Sequence, residues 1–452
     1  MSDQNKIIVR FPPSPTGLMH IGTMRTLLFN FLYAKQHEGN IVLRIEDTDR
    51  ERSKQEYAED LFENLKWLSI SYDEPIFYQS KRTDIYKKYL HILIEKDLAY
   101  ISKEATAEEG QRAEVIRFRN PNKSITFSDV IRGEITFDTT ELGDFIIAKS
   151  ANEPLYHFAV VVDDFEMGIT HIIRAEDHIS NTPRQILLQG AIGAPLPIYA
   201  HLPLVLAPDK SKLSKRKHGE FVSASFYRKE GYLPEALVNF LALLGWNPGT
   251  DQEIFSMKEL IEQFSLEKVQ KSGAIFNIEK LNWINKQYIK EMESSAFHEM
   301  VLKFLPGEIT DDKDFQKNPN LLSLLEPILK DRIVKFSDLA EMAKQGELQY
   351  YFRAPILQKE KVCYKKSTLE NTITNLEKLV SLIKSLDSFT QDALKEAVDT
   401  YSLEVGRGEV MHPMRYCLSG QDRSPDPFTI ATIIGRGETI SRLQVAINLL
   451  KE

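Results

Sequence analysis

Cysteine is nearly absent, with two residues in 452, Cys363 and Cys417. Two thiols so placed build neither a disulfide framework nor a thiolate zinc site, and they suit a reducing compartment. Long hydrophobic runs are missing too. The longest apolar stretch, Leu237 to Trp246, is broken by Asn239, and a membrane-spanning helix needs about 20 residues. The opening residues MSDQNK lead straight into IIVRF, without the basic, apolar and small-residue succession of a secretory signal. These absences predict a cytoplasmic chain with no membrane association. Basic charge is not in excess, since 57 Lys and Arg face 65 Asp and Glu for a net charge of -8 and a pI near 5.8. That balance excludes a nonspecific polyanion binder with a uniformly basic surface. No internal repeat or low-complexity tract is present. With 42% hydrophobic and 27% charged residues, the chain is neither fibrous nor mostly disordered. Its length exceeds one ordinary core and predicts two to four domains of about 100 to 200 residues.

What is there begins as an alternation of strand and helix. Lys6 to Phe11 is a short β-branched run stopped by Pro12-Pro13, because a proline pair cannot continue a central strand. A loop, Ser14 to His20, leads to a helix from Gly22 in which Met24, Leu27, Leu28, Phe31 and Leu32 recur at helical spacing, with Gly39 placed to end it. Ile41 to Ile45 reads as the second strand. Ser53-x-x-Glu56 reads as a capping box for the next helix, which carries Tyr57, Leu61, Leu65 and Leu68. The β-α-β succession predicts a parallel, doubly wound, Rossmann-like sheet.

After a helix at Lys81 to Tyr100 come short strands at Val115 to Phe118, Ile125 to Phe127, Ile135 to Phe137 and Phe145 to Lys149, the texture of a separate module. Two apolar strands follow. Phe158 to Val162 ends in Asp163-Asp164, and Ile169 to Ile173 ends in Arg174-Ala175-Glu176-Asp177-His178. Buried strands with charged carboxyl ends point to a site there. Helical periodicity dominates beyond about residue 320, as at Leu321 to Lys335 and Ile373 to Leu386. The predicted fold is α/β, a Rossmann-like sheet split by an insertion and followed by a mostly helical region. The expected division is 1–75 with 156–240, 76–155 inserted, 241–320 as a helical connection, and 321–452.

Two segments carry phosphate chemistry. Ser14-Pro15-Thr16-Gly17-Leu18-Met19-His20-Ile21-Gly22-Thr23 is a small-residue loop entering a helix, where free N–H groups and the helix dipole favour an anion and histidine adds a donor. Lys210 to Lys217 holds five Lys or Arg in eight residues of an acidic chain, interleaved with hydroxyls, as a polyphosphate clamp would. Singly, each also fits a bland loop.

Together they resemble the paired signatures of class I aminoacyl-tRNA synthetases, here HIGT (His20 to Thr23) and KLSKR (Lys212 to Arg216). Longer stretches resemble the glutamyl-tRNA synthetases: RFPPSPTGLMHIGT, LRIEDTDRER, YHFAVVVDDFEMGITHIIRAEDHISNTPRQ, KLSKRKHG, GYLPEALVNFLALLGW, FNIEKLNWINKQYI and SPDPFTIATIIG, in order along nearly the whole chain. The resemblance implies ATP-dependent formation of glutamyl-adenylate with release of pyrophosphate, then transfer to the 3′-terminal adenosine of tRNA(Glu). Activation is expected to depend on tRNA, and Mg²⁺ to accompany the triphosphate. It further implies that His20, Gly22, Glu176 and Lys215 bind ATP, that Lys215 stabilises the leaving pyrophosphate, and that Lys212 and Ser214 support its loop. For L-glutamate, Arg174 is expected to meet the side-chain carboxylate and Arg10 the α-carboxylate, since guanidinium pairs with both oxygens. Glu46 is expected at the ammonium, with hydroxyls from Ser14 and Tyr156. Some relatives hold zinc in the insertion; here Ala99-Tyr100-Ile101 stands at its start and no cysteine precedes residue 363, so no zinc is expected. The insertion also looks shortened between Glu109 and Val115, and is expected on the tRNA acceptor stem. The helical end, through Met411-His412-Pro413-Met414-Arg415 and Arg436, is expected to bind the anticodon, and the enzyme to be a monomer. The rivals are a glutaminyl-tRNA synthetase, opposed by Arg174, and an inactive tRNA-binding paralogue, opposed by the intact His20, Gly22, Lys212, Ser214 and Lys215.

Overall fold

The computed structural model describes residues 6–49, 51–104, 114–365 and 367–452, the Lys215 side chain excepted. Most of the expected shortening between Glu109 and Val115 lies outside these residues. The chain forms two compact units, Met1–Tyr288 and Ile289–Glu452.

In the first unit, β1 (Ile8–Phe11), β2 (Asn40–Ile45) and β3 (Asp73–Tyr78) pair in parallel in that order, with α1 (Ile21–Gln36) and α2 (Gln55–Trp67) as the crossovers. The first helix ends earlier than glycine alone would dictate. Glu38 takes the left-handed turn at φ 52°, while Gly39 is needed because a Cβ there would stand 2.5 Å from the Ile7 carbonyl. The capping box at Ser53 does not form. Lys54 is the N-cap, and among the described residues no side chain caps this helix and Ser53 Oγ is buried without a partner.

α3 (Thr83–Glu95) leads into β4 (Ala99–Lys103), β5 (Glu114–Phe118), β6 (Ser124–Asp129), β7 (Gly133–Asp138), β8 (Phe145–Ser150) and β9 (Glu153–Pro154). Every strand expected in the insertion is present, but the set divides in two. β4, β5, β8 and β9 form their own antiparallel sheet. The β6–β7 hairpin instead joins the second half-sheet.

The apolar run Phe158 to Val162 is not a strand. It lies in α4 (Tyr156–Glu166), a helix buried from Phe158 through Asp164. A five-residue apolar run suits a buried helix as well as a buried strand. Packing decides here: α3, α4, α5 (Thr182–Ile192) and the β4–β5–β8 sheet share one core containing Leu90, Ile147, Phe158, Val162 and Leu188. The next strand, β10 (His171–Ala175), pairs in parallel with β11 (Ile198–Leu202), which meets β6. Thr170 N donates to Ile8 O at 2.9 Å and Ile8 N to Thr170 Oγ1 at 2.8 Å, setting β10 beside β1. The strand order across the unit is therefore β3-β2-β1-β10-β11-β6-β7, a Rossmann-like sheet whose carboxyl ends gather Arg10, Glu46 and Arg174. β12 (Val205–Leu206) pairs with β13 (Ala274–Ile275), anchoring the chain just before the lysine-rich segment.

The second unit is helical. Leu369–Ser385, Gln391–Val405, Arg407–Ser419 and Pro427–Lys451 bury Leu376, Leu379, Ile383, Leu394, Val398, Met414, Leu418 and Leu443 in one core. The last helix breaks at Gly435, where φ is 84°. Arg442 is buried and donates to the carbonyls of Tyr350 and Leu418 at 2.7 and 2.6 Å. Met414 is core and Arg415 donates to Asp422 O, whereas Arg436 lies over the Phe389 ring.

Candidate active site

The carboxyl ends of β1, β2 and β10 open on a cavity of about 530 Å³ lined in part by Arg10, Ser14, His20, Gly22, Glu46, Tyr156, Arg174, Lys212 and Ser214. The two phosphate motifs face each other across it. His20 caps α1, its Nδ1 accepting from Gly22 N at 3.0 Å. An acceptor Nδ1 puts the ring proton on Nε2. Burial, then Lys212, lowers the His20 pKa, and the Leu213 backbone hydrogen-bonds the ring against that trend, so the imidazole is a neutral donor on the Lys212–Leu213 side. Lys212 pairs with Asp177 at 2.7 Å, tying the lysine segment to the residues that follow β10. Lys215 begins a short helix, Lys215–His218, and its side chain lies outside the described residues.

Three arginines, Arg10 and Arg174 lining the cavity and Arg44 buried behind it, differ in electrostatic state. Arg44 is fully buried between Asp164 (2.7 Å), Glu46 (3.2 Å) and Asp163 (3.7 Å). Its guanidinium is more firmly protonated than usual because these charges outweigh burial. Arg10 stands 3.6 Å from Asp164 and donates to Ile173 O at 3.3 Å. Arg174 is buried and has no carboxylate partner among the described residues. It donates to His201 Nε2 (3.1 Å), Gln185 Oε1 (2.7 Å) and Thr182 Oγ1 (2.8 Å), all neutral. Burial lowers its pKa from the usual value. A buried cation with neutral partners is a receptor for an anion, because its desolvation is otherwise uncompensated. His157 and His178 stand near it, and burial, with Arg174 among the charges acting on both, holds each at a pKa of about 4.

Glu46 is the cavity's buried acid. Burial raises its pKa to about 7 even though Arg44 opposes this. Glu176, expected at ATP, is not brought to the cavity. One of its oxygens accepts from Leu204 N at 2.7 Å and the other from Arg132 at 2.5 Å, and Asp177 and His178 line the wall in its place. The reason is local: Glu176 opens a 3-10 turn, Glu176–Asn181, after β10, and the turn aims successive side chains apart. The geometry thus sets the start of α1 beside a pocket that holds two guanidiniums, Arg10 and Arg174, and one carboxylate, Glu46.

A family model for the catalytic domain of class I tRNA synthetases (E and Q) matches residues 6–112 and 102–283, and one for an anticodon binding domain matches 296–447. The chain is a class I tRNA synthetase of the glutamate–tRNA ligase family. It is 38% identical to glutamate–tRNA ligase 1 of Caldanaerobacter subterraneus, covering 99% of both chains. Against the glutamate–tRNA ligase of Thermodesulfovibrio yellowstonii it is 39% identical, covering 97% of this chain and 99% of the other. A crystal structure of a glutamate tRNA ligase from Elizabethkingia meningosepticum in complex with its amino acid superposes with a TM-score of 0.84 at 34% identity, covering 98% of this chain and 99% of that one.

Sequence reasoning missed two arginines of this synthetase's site, Arg25 in the cavity wall and Arg44 behind it. Arg25 is buried and donates to Leu244 O at 3.1 Å and to Pro203 O, and burial brings its pKa down to about 10. Arg44 orders the acids behind the pocket. Local position signals neither, since the partners of Arg25 in α1 lie about 180 to 220 residues away and Asp164, which meets Arg44 in β2 at 2.7 Å, lies 120 residues away. The double duty of His20 yields a prediction. His20→Asn keeps a side-chain cap but loses the Nε2 donor, so its Tm stays near wild type while the adenylation rate falls about 100-fold. His20→Ala shows the same rate loss plus about 1 kcal/mol of destabilisation. Thermal melts alongside pyrophosphate-exchange rates separate the two.

Proposed function

We propose that this synthetase attaches L-glutamate to the 3′-terminal adenosine of tRNA(Glu), and the observation that carries the amino-acid choice is Arg174, buried and surrounded by neutral acceptors. A glutamine side chain would leave that charge unmet, whereas a carboxylate meets it with two parallel hydrogen bonds. Arg10, already drawn toward Asp164, takes the α-carboxylate, Glu46 takes the ammonium, and Ser14 and Tyr156 complete the hydrogen bonding.

In the first step an α-carboxylate oxygen attacks the α-phosphorus of ATP, the bond to the bridging oxygen breaks, and pyrophosphate leaves. No enzyme nucleophile is needed. The protein supplies alignment and charge. The start of α1, with His20 and Gly22, receives the phosphates. Lys215, by its place in the KLSKR motif, meets the leaving pyrophosphate, with Lys212 and Ser214 shaping its segment. Mg²⁺ would arrive with the triphosphate and neutralise part of its charge; we assign no zinc, since the insertion carries no cysteine. In the second step the adenosine hydroxyl attacks the activated carbonyl and AMP leaves.

We assign the β4–β9 region to the tRNA acceptor stem and the second unit to the anticodon, consistent with the family model matched there. Activation then depends on tRNA. The described residues contain no helix long and apolar enough to cross a membrane, which suits a cytoplasmic enzyme. A monomer is the state that the family resemblance implies. The test is charging of tRNA(Glu) with labelled glutamate and ATP, with pyrophosphate released in step. Absence of charging, with tRNA binding retained, would instead identify an inactive tRNA-binding protein.

Glu46 adds a pH signature. An ammonium needs the ionised carboxylate, and burial holds this group near 7. Raising the pH through about 7 therefore lowers KM for glutamate, and Glu46→Gln abolishes that dependence while raising KM. A KM profile flat from pH ~6 to ~8 in the wild type would refute the assignment.

A further inference from the structure

Arg174 is oriented from the inserted hairpin. Asp129 ends β6, and its Oδ1 accepts from Ile131 N and Arg132 N at 3.0 and 2.9 Å, which closes the tight turn between β6 and β7. Its Oδ2 accepts from His201 N at 3.0 Å and from His201 Nδ1 at 2.6 Å. Both side chains are completely buried. The tautomer follows from the partners: Nδ1 carries the proton toward Asp129, so Nε2 presents a lone pair, and the Arg174 Nε–H donates to it at 3.1 Å. Thr182 Oγ1 donates onward to His178 O at 3.1 Å and so accepts from Arg174 Nη2. Below the guanidinium lies the Tyr199 ring, 5.6 Å away, itself stacked on His201.

We propose that Asp129 and His201 are positioning residues for amino-acid recognition, an Asp–His relay that fixes the plane of the Arg174 guanidinium without neutralising it. This rests on the reading of Arg174 as the group that meets the side-chain carboxylate. A carboxylate placed directly on Arg174 would orient it but also cancel the charge that the substrate must meet. Interposing a neutral imidazole separates the two effects. Three of the five N–H groups are spent on neutral acceptors, leaving one on each terminal nitrogen for the substrate. Burial and Arg174 keep His201 neutral against the pull of Asp129. The hairpin therefore does more than extend the sheet, since its Asp129 determines how an arginine two strands away in the order β10-β11-β6 meets its ligand.

The test uses the full-length enzyme charging tRNA(Glu), with KM for glutamate, ATP and tRNA, the glutamate-to-glutamine ratio of kcat/KM, and Tm. The variants are His201→Asn, His201→Gln, Asp129→Asn and Arg174→Gln. Asparagine at 201 keeps a group near the Nδ1 position but removes the acceptor for Arg174, so KM for glutamate rises about 10- to 100-fold and the ratio falls in proportion, with KM for ATP and tRNA nearly unchanged. Glutamine at 201 returns an oxygen near the Nε2 position and recovers most of the affinity. Asparagine at 129 turns a donor toward His201, reverses the tautomer, and follows His201→Asn; it carries the same expectation should that variant not fold. Equal losses of Tm and activity in His201→Asn and His201→Gln with an unmoved ratio would show a merely structural network and overturn the proposal. A ratio that collapses in Arg174→Gln but not in His201→Asn or Asp129→Asn would overturn the relay alone. A ratio unmoved in Arg174→Gln itself would overturn the reading of Arg174 beneath it.

Discussion

Arg174→Ala lowers kcat/KM for glutamate by about 1,000-fold, mostly through KM, because it removes one partner of a charge pair formed in a buried site. The loss is selective. KM for ATP stays within a few-fold, since the phosphate end of the cavity is built from α1 and the lysine segment, and the Tm change is small or positive. That last sign distinguishes this arginine from its neighbours. Among the described residues Arg174 has only neutral partners, so deleting it strands no carboxylate and relieves an uncompensated buried cation. Steady-state charging kinetics with a thermal melt check both halves; a large fall in Tm with an unchanged KM would mean that Arg174 is structural.

Arg44→Met has the opposite signature. Arg44 is enclosed by Asp163, Asp164 and Glu46, and Asp163 also ties in Arg82 at 2.7 Å and Tyr86 and Gln79 at 2.8 Å each. Removing the cation leaves three acids in low dielectric, and loss of one partner from a buried ionic group costs about 3–5 kcal/mol. The unfolding midpoint in urea therefore shifts sharply down. The shortfall is larger at pH ~8 than at pH ~5.5, because the stranded carboxylates relieve their repulsion by taking up protons. A variant as stable as wild type at both pH values would show that the cluster is not organised around Arg44. Since Asp164 also faces Arg10, glutamate affinity falls along with stability.

The two variants divide the site into parts that the sequence shows unequally. Strands β1, β2, β10 and those of the insertion stand out because β-branched runs end at proline, glycine or charge. The cavity's lining is legible as well, because Arg10, His20, Glu46 and Arg174 all sit at strand ends or a helix start, where backbone geometry alone aims them at one place. Phe158 to Val162 was misassigned because a short apolar run buried on every side has no periodicity to read, and only its packing against the inserted sheet makes it α4. Ser53-x-x-Glu56 has the spacing of a capping box, yet the helix begins at Gln55 and leaves Ser53 outside it. Glu176 lies in the right segment, but the turn after β10 hands its carboxylate to Arg132 and Leu204. The buried networks were least visible. Arg44 meets Asp164 across 120 residues and Asp129 meets His201 across 72, and no local pattern encodes a pairing that only the strand order creates. The acidic total of -8 misleads in the same way, since a sum over the surface hides a cavity in which three arginines and a lysine converge.

Charge complementarity at Arg174 is the centre of this account, and competition between glutamate and glutamine for charging tests it most directly. With both amino acids at equal concentration and purified tRNA(Glu), the account predicts glutamyl-tRNA as the product, glutamine being rejected by about 10⁴-fold or more because it would leave a buried cation unmet. Charging with glutamine at comparable kcat/KM would contradict it.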